Sequence, residues 1–422
     1  MSRRHFLHTA LGLGGLATLP AWSGIARPGP ARVVVVGGGY GGATAAKYLR
    51  LWSDHGIEVT LVEPSAALVS CPLSNLVLGG SQTLADITLG YDALVARHGV
   101  RLIRDRVSAL EPERRRVRLG SGDTLAYDRL VLAPGVDLIW DELPGMARPG
   151  AHDAVLHAWK AGPQTAALRA QLQAMPDGGI CAITVPRLPY RCPPGPYERA
   201  CQVAHYFARH KPRSKVLVLD ANADVTSKGA LFKQVWAERY PGIVEYRPRH
   251  AVLDVDAATR RVQFEFEPEL QADVLNLIPP MRAGQLAVQA GLATHQGRWC
   301  EVDFLSFESS VASGIHILGD AIQSAPGMPK SGHMANQQAK VCAAAIVAAL
   351  AGQDINPQPL YNNACYSFVS DRDAMHVVSV HRYDAARKTM TASPLGLSSA
   401  PSELEGRHAL TWARHIWSDT LG

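Results

Sequence analysis

The sequence has 422 residues, of which 47% are hydrophobic and 19% are charged. A chain of this length and composition has enough apolar residues for two or three globular domains with large cores, which excludes a disordered protein. The formal net charge is only +5, and part of the excess lies in the first few residues, so composition excludes a strong general attraction to nucleic acid.

The N-terminal segment is predicted to be an export signal outside the fold. Residues 2–7, SRRHFL, match the twin-arginine motif S-R-R-x-F-L, and a weakly apolar run over 9–25 leads to Ala26, a small residue suited to cleavage. That run is too short and too interrupted to cross a membrane, so no transmembrane segment is expected. We predict a signal peptide over 1–27 and a periplasmic mature protein, in a compartment where disulfides persist.

The first predicted element after the signal is a dinucleotide cradle. Residues 32–36 form a continuous β-branched run typical of a buried parallel strand. Gly37, Gly39 and Gly42 follow in G-x-G-x-x-G spacing and lead into a helix that reaches about residue 51. The glycines permit a tight turn, a close approach to pyrophosphate and helix–strand packing, so the stretch predicts a dinucleotide site rather than an unoccupied turn.

A carboxylate follows the next predicted strand. The strand over 58–62 ends at Glu63, roughly 20 residues after the cradle, where a carboxylate accepts from both ribose hydroxyls and repels a 2′-phosphate. NADP is therefore disfavoured.

The remainder of the first predicted domain, 30–144, is less regular. Loop and short helix are expected over 64–90, a helix over 91–97, a strand over 100–103, a meander over 107–110, 117–119 and 124–126, and a strand over 130–132. Val107 and Ala133, at the start of the meander and at the end of the last strand, are candidate cofactor-binding residues. Arg114, Arg115, Arg116 and Arg118 lie near acidic residues in a hairpin and are interpreted as a solvated strand face, not a polyanion site.

A second domain is predicted over 145–270. Its helices are expected over 164–173 and 230–238, with a third ending near 208, and its strands over 180–185 and 215–219, followed by several strand pieces between 244 and 266. A second cradle is missing after the strand at 180–185, where the chain reads PRLPYRCPPGPYE over 186–198. Prolines lack the N–H groups that a pyrophosphate needs and fill its space, so NADH binding is improbable.

The chain is then expected to return to the first domain over 271–352, with segments at 274–278 and 315–318 and an Ala-rich helix over 335–350. Gly319 and Asp320 follow the second of these segments and are suited to hold a ribityl or ribose hydroxyl. Lys330 and the following helix N-terminus are predicted to stabilise negative charge on a reduced flavin. The last segment, 353–422, ends in a predicted helix that carries two tryptophans.

The chain has seven cysteines, an odd number, which allows a disulfide together with free thiols. No C-x-x-C or C-x-x-C-H motif occurs and the histidines have no metal-ligand spacing, so we predict neither a metal site nor a haem on this chain. We interpret four cysteines as core thiols: Cys181, Cys201, Cys300 and Cys342.

Several motifs together resemble one family, the flavoprotein subunit of flavocytochrome c sulfide dehydrogenase. Beside the cradle they are SCPLSN at 70–75, RCPPGPYER at 191–199, GDA at 319–321, MPKSG at 328–332 and ACYS at 364–367. The resemblance extends over nearly all of the mature chain. It implies an α/β fold with two Rossmann-like, glutathione-reductase-like dinucleotide-binding domains and a C-terminal α+β interface domain, with FAD as cofactor.

The resemblance also implies roles for individual residues. Cys71 corresponds to the cysteine that forms a thioether with the flavin, although the residues alone suggest a buried or spare thiol. Cys192 and Cys365 correspond to the redox-active disulfide, whose alternative is a structural clamp on the C-terminal segment. Glu198 corresponds to a carboxylate near that disulfide and is a candidate proton acceptor, or else a helix N-terminal carboxylate that offsets the dipole.

The implied function is periplasmic oxidation of sulfide to sulfane sulfur or polysulfide. Electrons would pass from FAD to a c-type cytochrome subunit in a heterodimer, since haem is expected only on a partner chain. Two alternatives stay open: a sulfide:quinone oxidoreductase, and an accessory flavoprotein that acts on a sulfur-carrier protein without sulfide turnover.

Overall fold

The computed structural model describes residues 29–393 and 396–422, and the predicted signal peptide lies outside them. The first sheet contains five parallel strands in the order Ile315–Ile317, Arg129–Leu132, Arg32–Val36, Glu58–Val62 and Arg101–Ile103. Its central strand is β-branched and buried on both faces, because helices cover the sheet. This sheet therefore carries the predicted cradle at the carboxyl end of its middle strand.

The helices have the following bounds: Tyr40–Trp52, Ser74–Gly79, Asp92–Ala96, Ala151–Ala154, Pro163–Ala174, Gly195–His210, Gly229–Arg239, Gln285–Gln289, Gly332–Leu350 and Glu403–Leu421. Tyr40–Trp52 packs closely against Gly332–Leu350. Both helices bury alanines at this contact, and the short side chains let the two backbones approach each other over the first sheet. The Ala-rich helix begins three residues earlier than predicted, because Ser331 caps it by accepting a hydrogen bond from the Met334 N–H at 3.1 Å.

A second parallel sheet forms the second domain, with strands Val244–Pro248, Lys215–Asp220, Ile180–Val185 and Val274–Asn276. Segment 274–278 is predicted from the sequence to belong to the first domain, and this prediction is wrong. Val274–Asn276 pairs in parallel with Ile180–Val185, and Asn276 binds the Leu156 carbonyl through its side chain at 2.7 Å. The chain returns only at Met281–Ala283, which pairs with Val136–Leu138 between the two sheets.

The C-terminal segment forms an antiparallel sheet and a long helix. Its strands are Leu360–Phe368, Ala374–Asp384, Thr389–Ala392 and Gly396–Leu397, followed by helix Glu403–Leu421. Two parallel sheets with an α+β C-terminal segment confirm the predicted fold class. Smaller antiparallel pairings complete the described part of the chain: Leu68–Val69 with Thr88–Leu89, the meander Val107–Glu111, Arg116–Leu119 and Thr124–Ala126, and the strands Val252–Asp256, Arg261–Phe264 and Leu270–Gln271.

Two surface features bear on function. The Arg118 guanidinium pairs with the Glu111 carboxylate at 2.7 Å on the exposed meander, which confirms the interpretation of the basic cluster as a solvated strand face. Within residues 29–393 and 396–422, no helix is both long and apolar enough to cross a membrane.

Candidate active site

Each glycine of the cradle is required for a different physical reason. Gly37 adopts φ +97°, a left-handed value that disfavours side chains, and a β-carbon there would overlap the Ala133 carbonyl. A β-carbon on Gly42 would overlap the Gly37 carbonyl oxygen. Gly39 differs, because no protein atom lies within 4 Å of the β-carbon it lacks. Open space at the N-terminus of Tyr40–Trp52 is what an approaching pyrophosphate requires.

Glu63 lies at the edge of this cradle, as its spacing predicts. Its Oε2 accepts from the Gly38 N–H at 2.7 Å and its Oε1 accepts from the Ser65 N–H at 2.7 Å. Each carboxylate oxygen keeps a second acceptor position, so binding of ribose hydroxyls is compatible with these bonds. Tyr91 was not predicted to contribute to the cradle. Its hydroxyl donates to the Gly38 carbonyl at 2.9 Å and so helps to fix the glycine turn.

Asp320 supplies the strongest local sign of a missing polar ligand. Its Oδ1 is buried and has no hydrogen-bond partner. Burial raises the pKa of this carboxyl, while Arg191 and Lys330 act in the opposite direction. A buried, unpaired carboxylate oxygen needs a donor, and a ribityl hydroxyl of FAD would supply one. With the open cradle at Gly39, this chain fits the dinucleotide that its motifs predict.

The other predicted cofactor residues differ in how they are placed. The Ala133 carbonyl lies against Gly37, inside the cradle turn, and Gly319 adopts φ +79° just before Asp320. The Val107 side chain is buried in the hydrophobic core that surrounds the first sheet, so a contact with a dinucleotide would use its backbone. For all three residues, cofactor binding stays a prediction.

Lys330, which is predicted to act on a reduced flavin, has several partners within the protein. Its ammonium donates to the carbonyls of Asp320 and Ile322 and lies 3.8 Å from the ring centre of Trp299. Burial lowers its pKa to about 8. Through these bonds the Lys330 ammonium holds the turn that carries Asp320, and its role toward a flavin stays a prediction. The sequence could not reveal these contacts, since Trp299 is distant in the chain.

One cavity, of about 960 Å³ including its opening, brings together the residues predicted for chemistry: Cys71, Cys192, Glu198, Asp320 and Cys365. They come from the first domain, the second domain and the C-terminal sheet. The cavity therefore assembles a candidate redox site next to the candidate flavin site.

Cys192 lies in the turn that replaces the second cradle. It adopts φ +59°, which is uncommon for a residue with a side chain, and its N–H donates to the Lys330 carbonyl at 2.8 Å. Its own carbonyl accepts from the Gly195 N–H at 2.9 Å. A β-carbon on Gly195 would come within 2.9 Å of the Cys192 Sγ and 2.7 Å of Trp159, so glycine is needed for this thiol to fit.

Cys365 lies on strand Leu360–Phe368, across the cavity from the second domain. The Lys228 ammonium donates to its carbonyl at 2.9 Å and lies 3.9 Å from its Sγ. Burial raises the pKa of the Cys365 thiol, and the Lys228 charge opposes that rise. Lys228 has no motif around it that could have indicated this position.

Glu198 lies in the first turn of helix Gly195–His210 and is nearly buried. Its Oε1 accepts from the Phe368 N–H at 3.0 Å and its Oε2 accepts from the Asn75 side-chain amide at 3.2 Å. Burial raises the pKa of this carboxyl above its ordinary value, and the hydrogen bonds only partly oppose the shift. The raised pKa and the position in the cavity are compatible with the predicted role of Glu198 as a proton acceptor.

Cys71 precedes helix Ser74–Gly79, and its carbonyl accepts from the Ser74 hydroxyl at 2.7 Å. The Arg191 guanidinium is also in the cavity, where it donates to the Trp159 carbonyl. Burial alone would lower the pKa of Arg191, but neighbouring Cys71 and Asp320 outweigh that effect and raise it. The thiol predicted to hold the flavin is therefore beside a permanent cation.

The seven cysteines are all free thiols in this structure. Cys181, Cys201, Cys300 and Cys342 are fully buried, which confirms their interpretation as core residues. The bond between Cys192 and Cys365 stays a prediction, although both thiols line one cavity.

Sequence reasoning missed several cavity residues. Asn75, Arg191 and Arg199 stand inside the motifs that carried the resemblance but had no role assigned to them. The buried Arg199 guanidinium binds the side chains of Asn75 and Asn276 at 3.1 and 2.7 Å, and so links the first domain to the second sheet. Trp159 lines the cavity and Lys228 contacts Cys365; both lie outside every motif, and only the fold brings them there.

Comparisons with known families agree with this architecture. Residues 165–279 match the family described as "Sulfide dehydrogenase (flavocytochrome c) flavoprotein chain, central", and residues 357–421 match "Flavocytochrome c sulphide dehydrogenase, flavin-binding". Residues 31–174 match "Pyridine nucleotide-disulphide oxidoreductase". A 49-residue sulfide dehydrogenase (flavocytochrome c) flavoprotein chain from Chlorobaculum thiosulfatiphilum is 65% identical over its whole length, which corresponds to 12% of this chain. The chain belongs to this flavoprotein family.

More distant relatives extend the comparison. The mitochondrial sulfide:quinone oxidoreductase of Mus musculus is 25% identical over 309 residues, which cover 68% of this chain and 65% of that protein. The sulfide:quinone oxidoreductase structure from Aquifex aeolicus superposes with a TM-score of 0.75 at 18% identity, covering 92% of this chain and 91% of that one. The putidaredoxin reductase–putidaredoxin complex gives a TM-score of 0.65 at 18% identity, with 92% and 93% covered. At these identities the structural likenesses establish the fold alone.

Proposed function

We propose that this flavoprotein is a periplasmic, FAD-dependent sulfide dehydrogenase. It would oxidise sulfide to sulfane sulfur or polysulfide through a redox pair formed by Cys192 and Cys365, and pass the electrons to a c-type cytochrome on a partner chain. The observation that carries the proposal is the single cavity in which both thiols and Glu198 lie beside Cys71 and Asp320.

The chemistry of the cavity suits sulfide. HS⁻ is a soft nucleophile that can attack a disulfide sulfur, and the bond between Cys192 and Cys365 is the group it would open. Glu198 is positioned to take the proton of H₂S or HS⁻, because it lines the cavity and burial raises its pKa above the ordinary glutamate value. FAD, when bound, supplies a two-electron acceptor that can release electrons singly. Cys71 would tether it by a thioether, and Asp320 would accept from its ribityl chain.

The C-terminal helix bears on the choice of electron acceptor. A quinone-linked enzyme needs an apolar surface that docks on the membrane. Trp417 instead donates to the Tyr40 and Ser70 hydroxyls at 3.0 and 3.1 Å, and Trp412 lines the cavity. Since both aromatic side chains of this helix are engaged inside the fold, they do not favour membrane docking, and a cytochrome acceptor is the better proposal.

The test is anaerobic addition of sulfide to the purified, exported protein, with the flavin absorbance followed in wild type and in Cys192→Ser. We expect rapid bleaching in the wild type and its loss in the variant, with a control substitution at the core thiol Cys342→Ser leaving it intact. If sulfide does not bleach the flavin of the wild type, the proposed sulfide dehydrogenase activity is rejected and an accessory flavoprotein is favoured. Reoxidation by a co-purifying c-type cytochrome, but not by a soluble quinone, is the outcome expected for the acceptor; the reverse would favour the quinone-linked alternative.

A further inference from the structure

The two thiols of the cavity have different electrostatic surroundings. Lys228 is the N-cap of helix Gly229–Arg239, adopts φ +56° and is buried. Its ammonium reaches out of the second domain to the C-terminal sheet and ends 2.9 Å from the Cys365 carbonyl and 3.9 Å from the Cys365 Sγ. No motif and none of the predicted roles accounts for a buried lysine at this position.

The groups facing each thiol decide which sulfur better holds negative charge. Cys365 faces Lys228 and Glu198, one cation and one carboxyl. His333 accepts from the adjacent Ala364 N–H at 2.8 Å through Nδ1, and burial lowers its pKa, so it is neutral there. Lys228 is therefore the cation nearest to this sulfur.

Cys192 has a less favourable environment for a thiolate. Burial and Glu198 disfavour the thiolate of Cys192, and Arg191 opposes them. The Arg191 guanidinium is itself shared with Asp320 and the Trp159 carbonyl. Opening a bond between the two cysteines would therefore leave the charge preferentially on Cys365.

We infer that Lys228 is a positioning residue that makes Cys365 the leaving sulfur of the redox pair, so that the sulfur supplied by sulfide is attached to Cys192. The inference rests on the proposed function. HS⁻ forms an S–S bond to the Cys192 Sγ, the bond between Cys192 and Cys365 breaks, and its electron pair leaves on the Cys365 Sγ. The disulfide is reduced as sulfide is oxidised to a persulfide on Cys192, and the proton of that persulfide can pass to Glu198. A better-stabilised thiolate leaves faster, which selects this direction.

The first experiment measures the thiols without sulfide. The holoprotein is reduced, alkylated with iodoacetamide over a range of pH, and analysed by peptide mass spectrometry at each cysteine. We expect Cys365 to react with a lower midpoint pH than Cys192. Lys228→Gln, which can still donate to the Cys365 carbonyl, should raise that midpoint by about one pH unit or more, because a cation within about 4–6 Å lowers a thiol pKa by that order. Lys228→Arg should keep it low.

Lys233→Gln removes a surface lysine from the same helix and is the matched control. An unchanged Cys365 midpoint in Lys228→Gln would overturn the inference. If the variants do not fold, the wild type alone still tests the inference. An alkylation midpoint pH of Cys192 at or below that of Cys365 would overturn the inference equally.

The second experiment adds one equivalent of sulfide to the oxidised wild type, traps persulfides with iodoacetamide and locates them by mass spectrometry. A persulfide on Cys192 supports the inference, and one on Cys365 overturns it. No persulfide together with an unbleached flavin would reject the proposed function and the sulfur assignment with it, while the alkylation midpoints would still decide whether Lys228 stabilises the Cys365 thiolate.

Discussion

At the scale of single residues, Glu198 is the group whose protonation should govern the reaction. Its carboxyl accepts from the Phe368 N–H and the Asn75 amide, and burial raises its pKa. A base must be deprotonated to act, so the rate of sulfide-driven flavin bleaching should rise with pH through a pKa above the ordinary glutamate value. We expect Glu198→Gln, which keeps the shape of the side chain, to lower this rate by about 10²-fold or more and to remove that limb of the pH profile.

The control for Glu198→Gln is Glu238→Gln, on the exposed side of helix Gly229–Arg239. If Glu198 only offsets the helix dipole, the substitution would lower thermal stability by a few tenths of a kcal/mol to about 1 kcal/mol and leave the bleaching rate unchanged. Stopped-flow absorbance across the pH range separates the two interpretations.

At the scale of elements, the first cradle offers a matched pair of alanine substitutions. Gly39→Ala adds a methyl group where no protein atom lies within 4 Å, and its backbone, at φ −71°, suits alanine. We expect this variant to fold and keep its melting temperature without flavin, but to lose most of its FAD, because the methyl group occupies the approach of the pyrophosphate.

Gly42→Ala is the contrasting member of the pair, since its methyl group would overlap the Gly37 carbonyl inside the protein. Overpacking of this kind costs about 1–3 kcal/mol or more, so soluble yield and melting temperature should fall together with flavin content. Flavin per protein, measured by absorbance, and thermal unfolding distinguish the variants. Full flavin content in Gly39→Ala would contradict the assignment of this open space to the cofactor.

The cradle also illustrates what the sequence determines well. Glu63 accepts from the nearby Gly38 N–H and Gly42 packs on Gly37, so their positions follow from local spacing. The pairing of strand Arg32–Val36 with Arg129–Leu132 is a long-range contact that spacing does not give. Val274–Asn276 is a short apolar strand that could join either parallel sheet, because its residues do not specify a partner strand. The contacts of Lys330 could not be predicted for a related reason, since Trp299 and the carbonyls that hold its ammonium are brought to it only by the fold.

At the scale of the whole molecule, the candidate site depends on docking of the C-terminal segment. Cys71, Cys192 and Cys365 come from different sheets or connections, and only the resemblance to a family suggested that they meet. Lys228 had no such support and could not be found in the sequence. Helix Glu403–Leu421 completes the arrangement by donating from Trp417 to the Ser70 hydroxyl next to Cys71.

Asp419 is the main polar anchor of that helix, so the stability of the assembled molecule should depend on its charge. It accepts from the Tyr48 hydroxyl at 2.5 Å and the Asn336 amide at 2.8 Å, and pairs with the Lys340 ammonium at 2.7 Å. Partial burial alone would raise its pKa, but these partners outweigh burial and lower it. A carboxyl with a lowered folded-state pKa adds stability above its unfolded pKa, near 3.9, and loses it as the pH falls through the folded value.

We therefore expect Asp419→Asn to lower the free energy of unfolding by about 1 kcal/mol at pH 7, since its side chain is 30% exposed and its ion pair is partly screened. The difference from wild type should shrink as the pH falls below the unfolded pKa of about 3.9, and it should be lost as the pH passes through the lowered folded-state pKa. Asp224→Asn removes a more exposed pair with Lys233 and should cost much less. Thermal melts of the three proteins at several pH values, with proteolysis of the C-terminal helix as a second readout, test this. An equal loss in both variants, or a loss at pH 7 that persists undiminished at pH 3, would show that the Asp419 charge does not hold the segment that delivers Cys365 to the cavity.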